Sequence, residues 1–250
     1  MSSIPASVKV AQGAYRVRST QPVTVYQFNP LEYTLPGGLF SYSNDASILL
    51  PSNVWTGKYR VVARHHFYGG SGFYAVTAMQ DNTTVTVVPG PTSGTVKTGI
   101  PGLNANGTGT FTLNSGDVAE VVTNGAAVAS DPNDVTGTLV TATKPVQVIG
   151  GHQCIYIPDA TGYCDHLEET VFPEQTLSAN YLVTAPLIPT GGAVPKVEMV
   201  RIIATADNTT LSYDPPQPGA PTTIATAGGW VEIADTAADF RITANSPVLV

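Results

Sequence analysis

The sequence predicts an all-β protein made of two tandem antiparallel β-sandwich domains related by internal duplication, and three observations predict it. First, charged residues are only 12 % of the 250-residue chain, Gly and Pro number 24 and 20, and Val, Thr and Ser recur throughout, which disfavours long helices and suits short strands joined by turns. Second, apolar and polar residues alternate, as in Val85 and Val87 with Thr84 and Thr86, or Val231 and Ile233 around Glu232, so each strand offers one face to a core. Third, three markers recur in one order at nearly one spacing. Pro22-Val23-Thr24-Val25 matches Pro145-Val146-Gln147-Val148, 145 − 22 = 123 positions on, and again Pro247-Val248-Leu249-Val250. Asp81-Asn82-Thr83-Thr84 matches Asp207-Asn208-Thr209-Thr210, 207 − 81 = 126 positions on, and Pro51 with Tyr59 matches Pro173 with Tyr181, 173 − 51 = 122 positions on. A period of about 120 residues is a domain length rather than a solenoid repeat.

In chain order, residues 1–28 read as an N-terminal strand segment. Its Pro22 closing strand precedes any complete unit, so it is either the end of a preceding repeat or a strand that pairs with a neighbouring sheet, in this molecule or another. Residues 29–152 form the first sandwich unit: a strand ending at Tyr59, a Gly-rich connection, a strand into the Asp81-Asn82 turn, further strands, and the closing strand at Pro145. Residues 153–250 form the second, which is shorter beyond its turn, 247 − 207 = 40 positions against 145 − 81 = 64. The surplus in the first unit includes the Gly/Asn-rich run from Gly99 to Gly109 and the loop from Asn124 to Asp134. The chain stops inside an apolar strand, which suggests a fragment or mature segment of something longer.

Several function classes lack support. The net charge of −7, from 18 acidic and 11 basic residues with no Lys/Arg run, is not the footprint of a nucleic-acid binder. No stretch approaches the roughly 20 continuous apolar residues of a membrane span. No Gly-x-Ser-x-Gly elbow accompanies His65, His66 or the serines, and adjacent Glu168 and Glu169 on a strand point to opposite sides. An enzyme is not expected, nor are catalytic residues or a cofactor.

The most concentrated chemistry is a mirrored pair, Gly151-His152-Gln153-Cys154 and Cys164-Asp165-His166, holding both cysteines and two of the four histidines. In extended segments His152 and Cys154 share a face, as do Cys164 and His166, so four donors could converge on a tetrahedral metal; one residue between the ligands of each pair is short for structural zinc. A disulfide asks only that the two Cα atoms approach to about 5.5 Å, which a loop with Pro158, Asp159 and Gly162 allows. Free thiols are the third reading.

At these residues the chain resembles a known family. Lys144-Pro145-Val146-Gln147-Val148-Ile149-Gly150-Gly151-His152-Gln153-Cys154, then Ile157-Pro158, then Cys164-Asp165-His166-Leu167 with Glu169, is similar to the IgGFc-binding protein N-terminal domain family, as a bacterial-type extracellular member. Asn44-Asp45-Ala46-Ser47, Leu49-Leu50-Pro51 and the Asp81 turn support it, while Thr170 and Phe172 depart from the family's usual Gln and Pro. The resemblance implies a secreted or cell-surface, non-enzymatic adhesion or binding module. It further implies that Cys154 and Cys164 pair, with His152, Asp165, His166, Leu167 and Glu169 as structural motif residues.

The segment Arg64-His65-His66-Phe67-Tyr68 through Phe73-Tyr74 combines basic, aromatic and Gly residues in the manner of contact surfaces and is the candidate partner-binding loop, the alternative being a hairpin that covers a core edge. Asp131-Pro132-Asn133-Asp134 offers oxygen atoms to calcium, but polar residues around a Pro are more often a turn. Asn82, Asn106 and Asn208 begin Asn-x-Thr sequons. The expected partner is an extracellular protein or glycan, with no nucleic acid and no membrane span. The alternative is a structural subunit of an extracellular fibre or surface assembly, self-associating through strand complementation.

Overall fold

A computed structural model describes residues 4–28, 33–34, 40–41, 45–129, 131–157, 164–187 and 195–250. The turn residues Pro158, Asp159 and Gly162, and Asn44, lie outside the described residues.

The structure is all-β, as composition and alternation predict. The strands are β1 (Val8–Val10), β2 (Val25–Phe28), β3 (Tyr33–Thr34), β4 (Phe40–Ser41), β5 (Ala46–Leu49), β6 (Thr56–Arg60), β7 (Gly72–Ala78), β8 (Thr83–Val88) and β9 (Gly109–Leu113). They continue as β10 (Val118–Val122), β11 (Leu139–Ile155), β12 (Asp165–Thr170), β13 (Ser178–Val183), β14 (Glu198–Ala204), β15 (Thr209–Asp214), β16 (Thr223–Ile224), β17 (Trp230–Thr236) and β18 (Phe240–Leu249). An eight-stranded sheet runs β1-β10-β7-β11-β8-β9 with β6 and β12 also on β11, and a six-stranded sheet runs β16-β15-β18-β14-β17 with β13 also on β18. All pairings are antiparallel.

The 17-residue β11 is the spine of the first sheet. Its start, Leu139–Ala142, pairs with β8 on one side and β6 on the other, and from Val146 onward it pairs with β7 and then β12. The change of partners and a register shift fall between Thr141 and Val146, around Pro145, which has no N–H to give a ladder. β18 is built alike: Phe240 to Thr243 pairs with β13, Leu211 to Asp214 of β15 lie against it, and Val248 and Leu249, beyond Pro247, pair with β14. The position 152/153, at which sequence divides the two units, lies inside β11, and β12 folds back onto that strand's end.

The N-terminal segment pairs within its own chain. β1 adds to the edge of β10, and β2 pairs with β5 in a separate ribbon beside β12. Two buried clusters form the core. One gathers Tyr59, Tyr74, Val76, Val85, Leu113, Val140 and Val148 from the first sheet and takes in Ile203, Leu249 and the half-buried Trp230 from the second. The other holds Ile202, Ala204, Phe240, Ile242 and Val248.

Matching sequence markers make matching bonds. Thr56 N–H donates to Tyr59 Oη (3.0 Å), whose hydroxyl donates to Val146 O (2.7 Å); Ser178 N–H donates to Tyr181 Oη (3.0 Å), whose hydroxyl donates to Val248 O (2.7 Å). Thr83 and Thr209 each hydroxyl-bond the carbonyl three residues back, and Asn82 and Asn208 both take φ of 54°, a left-handed turn position that Asn tolerates. Each tyrosine thus ties the start of one strand to the far half of the spine strand. Tyr59→Phe leaves a buried carbonyl and an amide without a partner and is expected to cost about 1–3 kcal/mol in denaturant unfolding. An unchanged midpoint would show that the hydroxyl is not structural.

Candidate functional site

The mirrored Cys/His motif sits where β11 ends and β12 begins. Cys154 and Cys164 form a disulfide with their Cα atoms 5.2 Å apart, so the alternative metal set of His152, Cys154, Cys164 and His166 is set aside: the two sulfurs are bonded to each other and offer no thiolate. Among the described residues there is no cluster of three or more metal-ligating side chains.

The two histidines, mirrored in sequence, do different things in space. Gly151 lies opposite Glu168 and His152 opposite Leu167, but the register then slips so that Ile155 faces Asp165. At this bulge Cys154 N–H donates to His152 Nδ1 (3.0 Å), which replaces the missing ladder partner. His152 is fully buried, and burial, reinforced by the neighbouring His65, lowers its pKa to about 3. It is therefore neutral, with its proton on Nε2. His166 instead lies over the Phe73 ring (centroids 5.9 Å apart), with Nδ1 3.3 Å from Gln153 O and Nε2 3.5 Å from Glu168 Oε2.

Gly150 and Gly151 precede this pair because neighbouring backbone leaves no room for a side chain. A Cβ on Gly150 would sit 1.9 Å from Val62 O, and one on Gly151 2.0 Å from Leu167 O. On the other side of β12, Ser47 Oγ donates to Glu169 Oε1 (2.7 Å), Thr170 N–H donates to Ser47 Oγ (2.8 Å), and Gln27 Nε2 donates to Glu168 Oε2 (2.7 Å). The ribbon of β2 and β5 is thereby held to β12 by side chains rather than by a ladder. Asp165 and Glu169 are exposed, Leu167 is half-buried, and the Glu169 carboxyl is held above the usual range by burial and by the charges of Asp45 and Glu168.

Beside the glycines lies a cleft of about 300 Å³ between the two sheets, with Val62, Ala63, Arg64, Leu167 and Glu169 on one wall and Met199, Arg201 and Glu232 on the other. Its base is a charged network. Arg201 Nη1 donates to Asp134 Oδ2 (2.9 Å), Thr136 Oγ1 (2.7 Å) and Ala63 O (2.7 Å), its Nε donates to Glu232 Oε1 (2.8 Å), and its guanidinium lies 3.9 Å from the centre of the Trp230 ring system. Arg64 Nη1 reaches the same Glu232 oxygen at 2.5 Å. Nothing in the sequence signals this network, because Arg201 and Glu232 are cross-strand partners on a face that alternation alone reads as solvated.

The segment expected to bind a partner is mostly buried. Arg64, His66, Phe67 and Tyr74 are buried, His65 and Phe73 are half-buried, and Tyr68 is exposed. Phe67 and Gly70 exchange backbone hydrogen bonds across Tyr68 (φ 45°) and Gly69 (φ 85°), a two-residue hairpin turn that demands positive φ at both central positions and folds Phe67 onto Tyr156 (4.7 Å between centroids). Asp131 accepts from Ala126 N–H and Asn133 N–H, and Asp134 from Thr136 N–H and Arg201, so both carboxylates cap turns or join the network.

Replacing Cys154 and Cys164 together by serine is expected to cost about 3 kcal/mol in the chain-entropy picture, given the sequence separation of 10. Chemical denaturation with and without reductant checks it, and intact mass should rise by two hydrogens on reduction. A reduced protein as stable as the oxidised one would contradict the expectation.

A protein-family model described as IgGFc binding protein matches residues 45–250. No curated protein and no solved structure matches the chain.

Proposed function

The chain belongs to the IgGFc-binding protein family, and we propose from that premise that it is a non-enzymatic adhesion or binding module of the extracellular space, secreted or held at a cell surface, that recognises a protein or glycan partner. The family match over residues 45–250 carries this reading, and the disulfide agrees with it, since such bonds persist in oxidising compartments. No helix of the described residues is long and apolar enough to cross a membrane.

We read the architecture as two tandem sandwich units derived by duplication. The paired tyrosine bonds, the paired Asn turns and the shared construction of β11 and β18 support it. In this reading the first unit keeps β12, so its boundary falls after Thr170 rather than at 152/153. The motif then staples the end of the first unit, and the charged network joins it to the second. Contact with a partner falls to exposed residues such as Tyr68 and the rim of the cleft, while Arg64, His66, Phe67 and Tyr74 hold the scaffold.

The test is binding of the purified, oxidised chain to immobilised extracellular proteins, immunoglobulin G among them, and to glycans. Saturable binding that Tyr68→Ala or Glu169→Gln weakens, with folding intact, supports the reading. Turnover of a substrate, or loss of the disulfide in material from its native source, would overturn it.

A second reading, a subunit of an extracellular assembly, is favoured by one observation. Between β1 and β2 the ten residues 15–24 are all exposed, with the apolar side chains of Tyr15, Val17 and Val23 in solvent.

A further inference from the structure

The N-terminal segment carries a third copy of the ribbon that ends a sandwich unit. Val17 stands five positions before Pro22, as Val140 does before Pro145 and Ile242 before Pro247, yet Val140 and Ile242 are fully buried and Val17 is 68 % exposed. Downstream the correspondence holds in the backbone. Tyr26, Gln27 and Phe28 of β2 face Ile48, Ser47 and Ala46 of β5, as Ile149, Gly150 and Gly151 of β11 face Thr170, Glu169 and Glu168 of β12. The strand offsets, 149 − 26 = 123 and 170 − 48 = 122, are those of the Pro22 and Pro51 markers. β2 and β5 are therefore a closing ribbon that has no sheet of its own.

In the first unit the ribbon is joined to a sheet. Ile149, Gly150, Gly151 and His152 pair on their other side with Ala75, Tyr74, Phe73 and Gly72 of β7. Among the described residues, the corresponding side of β2 has no partner strand. The second unit has the converse gap. Its β14 is the counterpart of β7, since Ala204 faces Val248 as Ala78 faces Val146, and 204 − 78 = 126 is the spacing of the Asp-Asn turns. β18 pairs with β14 only at Ile203 and Ala204, so the stretch from Glu198 to Arg201 has β17 on one side and, among the described residues, no strand on the other. A cavity of about 230 Å³ borders Glu198 and Met199, with Ile157, Pro186 and Val197 around it. Thr184 and Pro186 are exposed there, whereas the carbonyls of their counterparts Val62 and Arg64 lie against Gly150 of β11 and Gly72 of β7. The second unit thus has room for side chains where the first requires glycine, and an unpaired strand edge is a template for strand addition.

We infer that β2 of one molecule adds to β14 of a second copy of this chain, with Tyr26 opposite Arg201, Gln27 opposite Val200 and Phe28 opposite Met199. The register is that of β11 on β7, carried over by the repeat offsets of 123 and 126. A second copy is the occupant because each molecule carries both edges that lack a partner, and the first unit shows the same two edges joined. The contact is heterologous, ribbon of one molecule to second sheet of the next, so it propagates into a ring or a filament rather than closing a two-fold dimer. The inference rests on the assembly reading above and names the surfaces that assembly uses.

Sedimentation velocity over a concentration series, with cross-linking and a competing peptide, tests it. The native chain is expected to associate at about 10–100 µM, with species larger than a dimer at the upper end. Phe28→Cys mixed with Met199→Cys should form an intermolecular disulfide at least about tenfold faster than Val54→Cys mixed with Met199→Cys, because directly opposed residues bring their Cβ atoms within bonding reach. Val54 is also exposed and lies outside the contact. A synthetic peptide of residues 22–28, which requires no variant to fold, should cap β14 and lower the mean mass of the native chain, and a scrambled peptide should not. A native chain that stays monomeric to the order of 100 µM overturns both this inference and the assembly reading. Association with equal cross-linking rates for the two pairs, or without response to the peptide, overturns these surfaces alone.

Discussion

Replacing Arg201 by methionine is expected to lower stability by about 3–5 kcal/mol, the cost of removing one member of a buried ion network and leaving the others uncompensated. Arg201 has 9 % of its side chain exposed and Asp134 4 %, and the guanidinium bonds Asp134, Thr136, Ala63 and Glu232 at once. Methionine keeps most of the volume and the contact with Trp230, so the loss reports charge and hydrogen bonds rather than a cavity. Ala63, Asp134 and Thr136 belong to the part of the chain carrying the eight-stranded sheet, and Arg201, Trp230 and Glu232 to the six-stranded one. The substitution should therefore loosen the sheets from each other as well as destabilise the whole. Denaturant unfolding followed by tryptophan fluorescence should lose its single transition, because Trp230 sits at this junction and Trp55 lies beside Leu50. A loss under about 1 kcal/mol with one sharp transition would mean that the network is an incidental surface pairing.

Much of the scaffold was legible because strand alternation and turn residues are local signals. The Asp-Asn turns, the tyrosines at 59 and 181 and the spine prolines at 145 and 247 all fall where their recurrence places them, and each has a matching bond or pairing. The cysteine pairing follows from the family resemblance, and its geometry is ordinary. Less legible was where a strand ends. The unit boundary read at 152/153 falls inside β11, which runs through Gly150-Gly151, where two neighbouring backbones approach too closely for any side chain, and on to Ile155.

The aromatic segment at 64–74 shows a different limit. A run of Arg, His, Phe, Tyr and Gly has the composition of a contact loop and also that of a packed corner; the positive φ at Tyr68 and Gly69 decides, by turning Phe67 inward against Tyr156. Networks such as Arg64–Glu232–Arg201–Asp134 join residues 31 to 168 positions apart and leave no periodic trace. The exposed apolar face of the β2–β5 ribbon escapes notice for the opposite reason. Its alternation is ordinary, and only the structure shows that Val25, Gln27, Ser47 and Leu49 turn inward and leave Tyr26, Phe28 and Ile48 outside.

Acidification should destabilise the protein well before its carboxylates are neutralised. His152 has its pKa lowered from an ordinary 6.5 to about 3, first by burial and then by the neighbouring His65, and it accepts a hydrogen bond from Cys154 N–H on the nitrogen that protonation would fill. A base with a depressed folded-state pKa binds its proton more readily when unfolded. Its contribution is therefore complete above pH 6.5 and is lost as pH falls from there toward 3, at about 1.4 kcal/mol per unit. His66, lowered chiefly by burial and held against Thr123, acts in the same direction. Glu120, Glu169 and Glu198, raised chiefly by burial, act in the opposite direction at the acid end, while Asp117 and Asp131, lowered by hydrogen bonds to their carboxylates, add loss there, so the interval from pH 6.5 to about 5 is where the histidines act alone. His152→Gln separates the contributions, since it cannot titrate and its side-chain oxygen can still accept from the bulge. Unfolding free energies at pH 7.5 and 5 should differ by about 2 kcal/mol less in the variant than in the native chain. Equal pH dependence in the two proteins would place the acid sensitivity elsewhere, and a native chain equally stable at both pH values would mean that the His152 pocket admits water and a proton without unfolding.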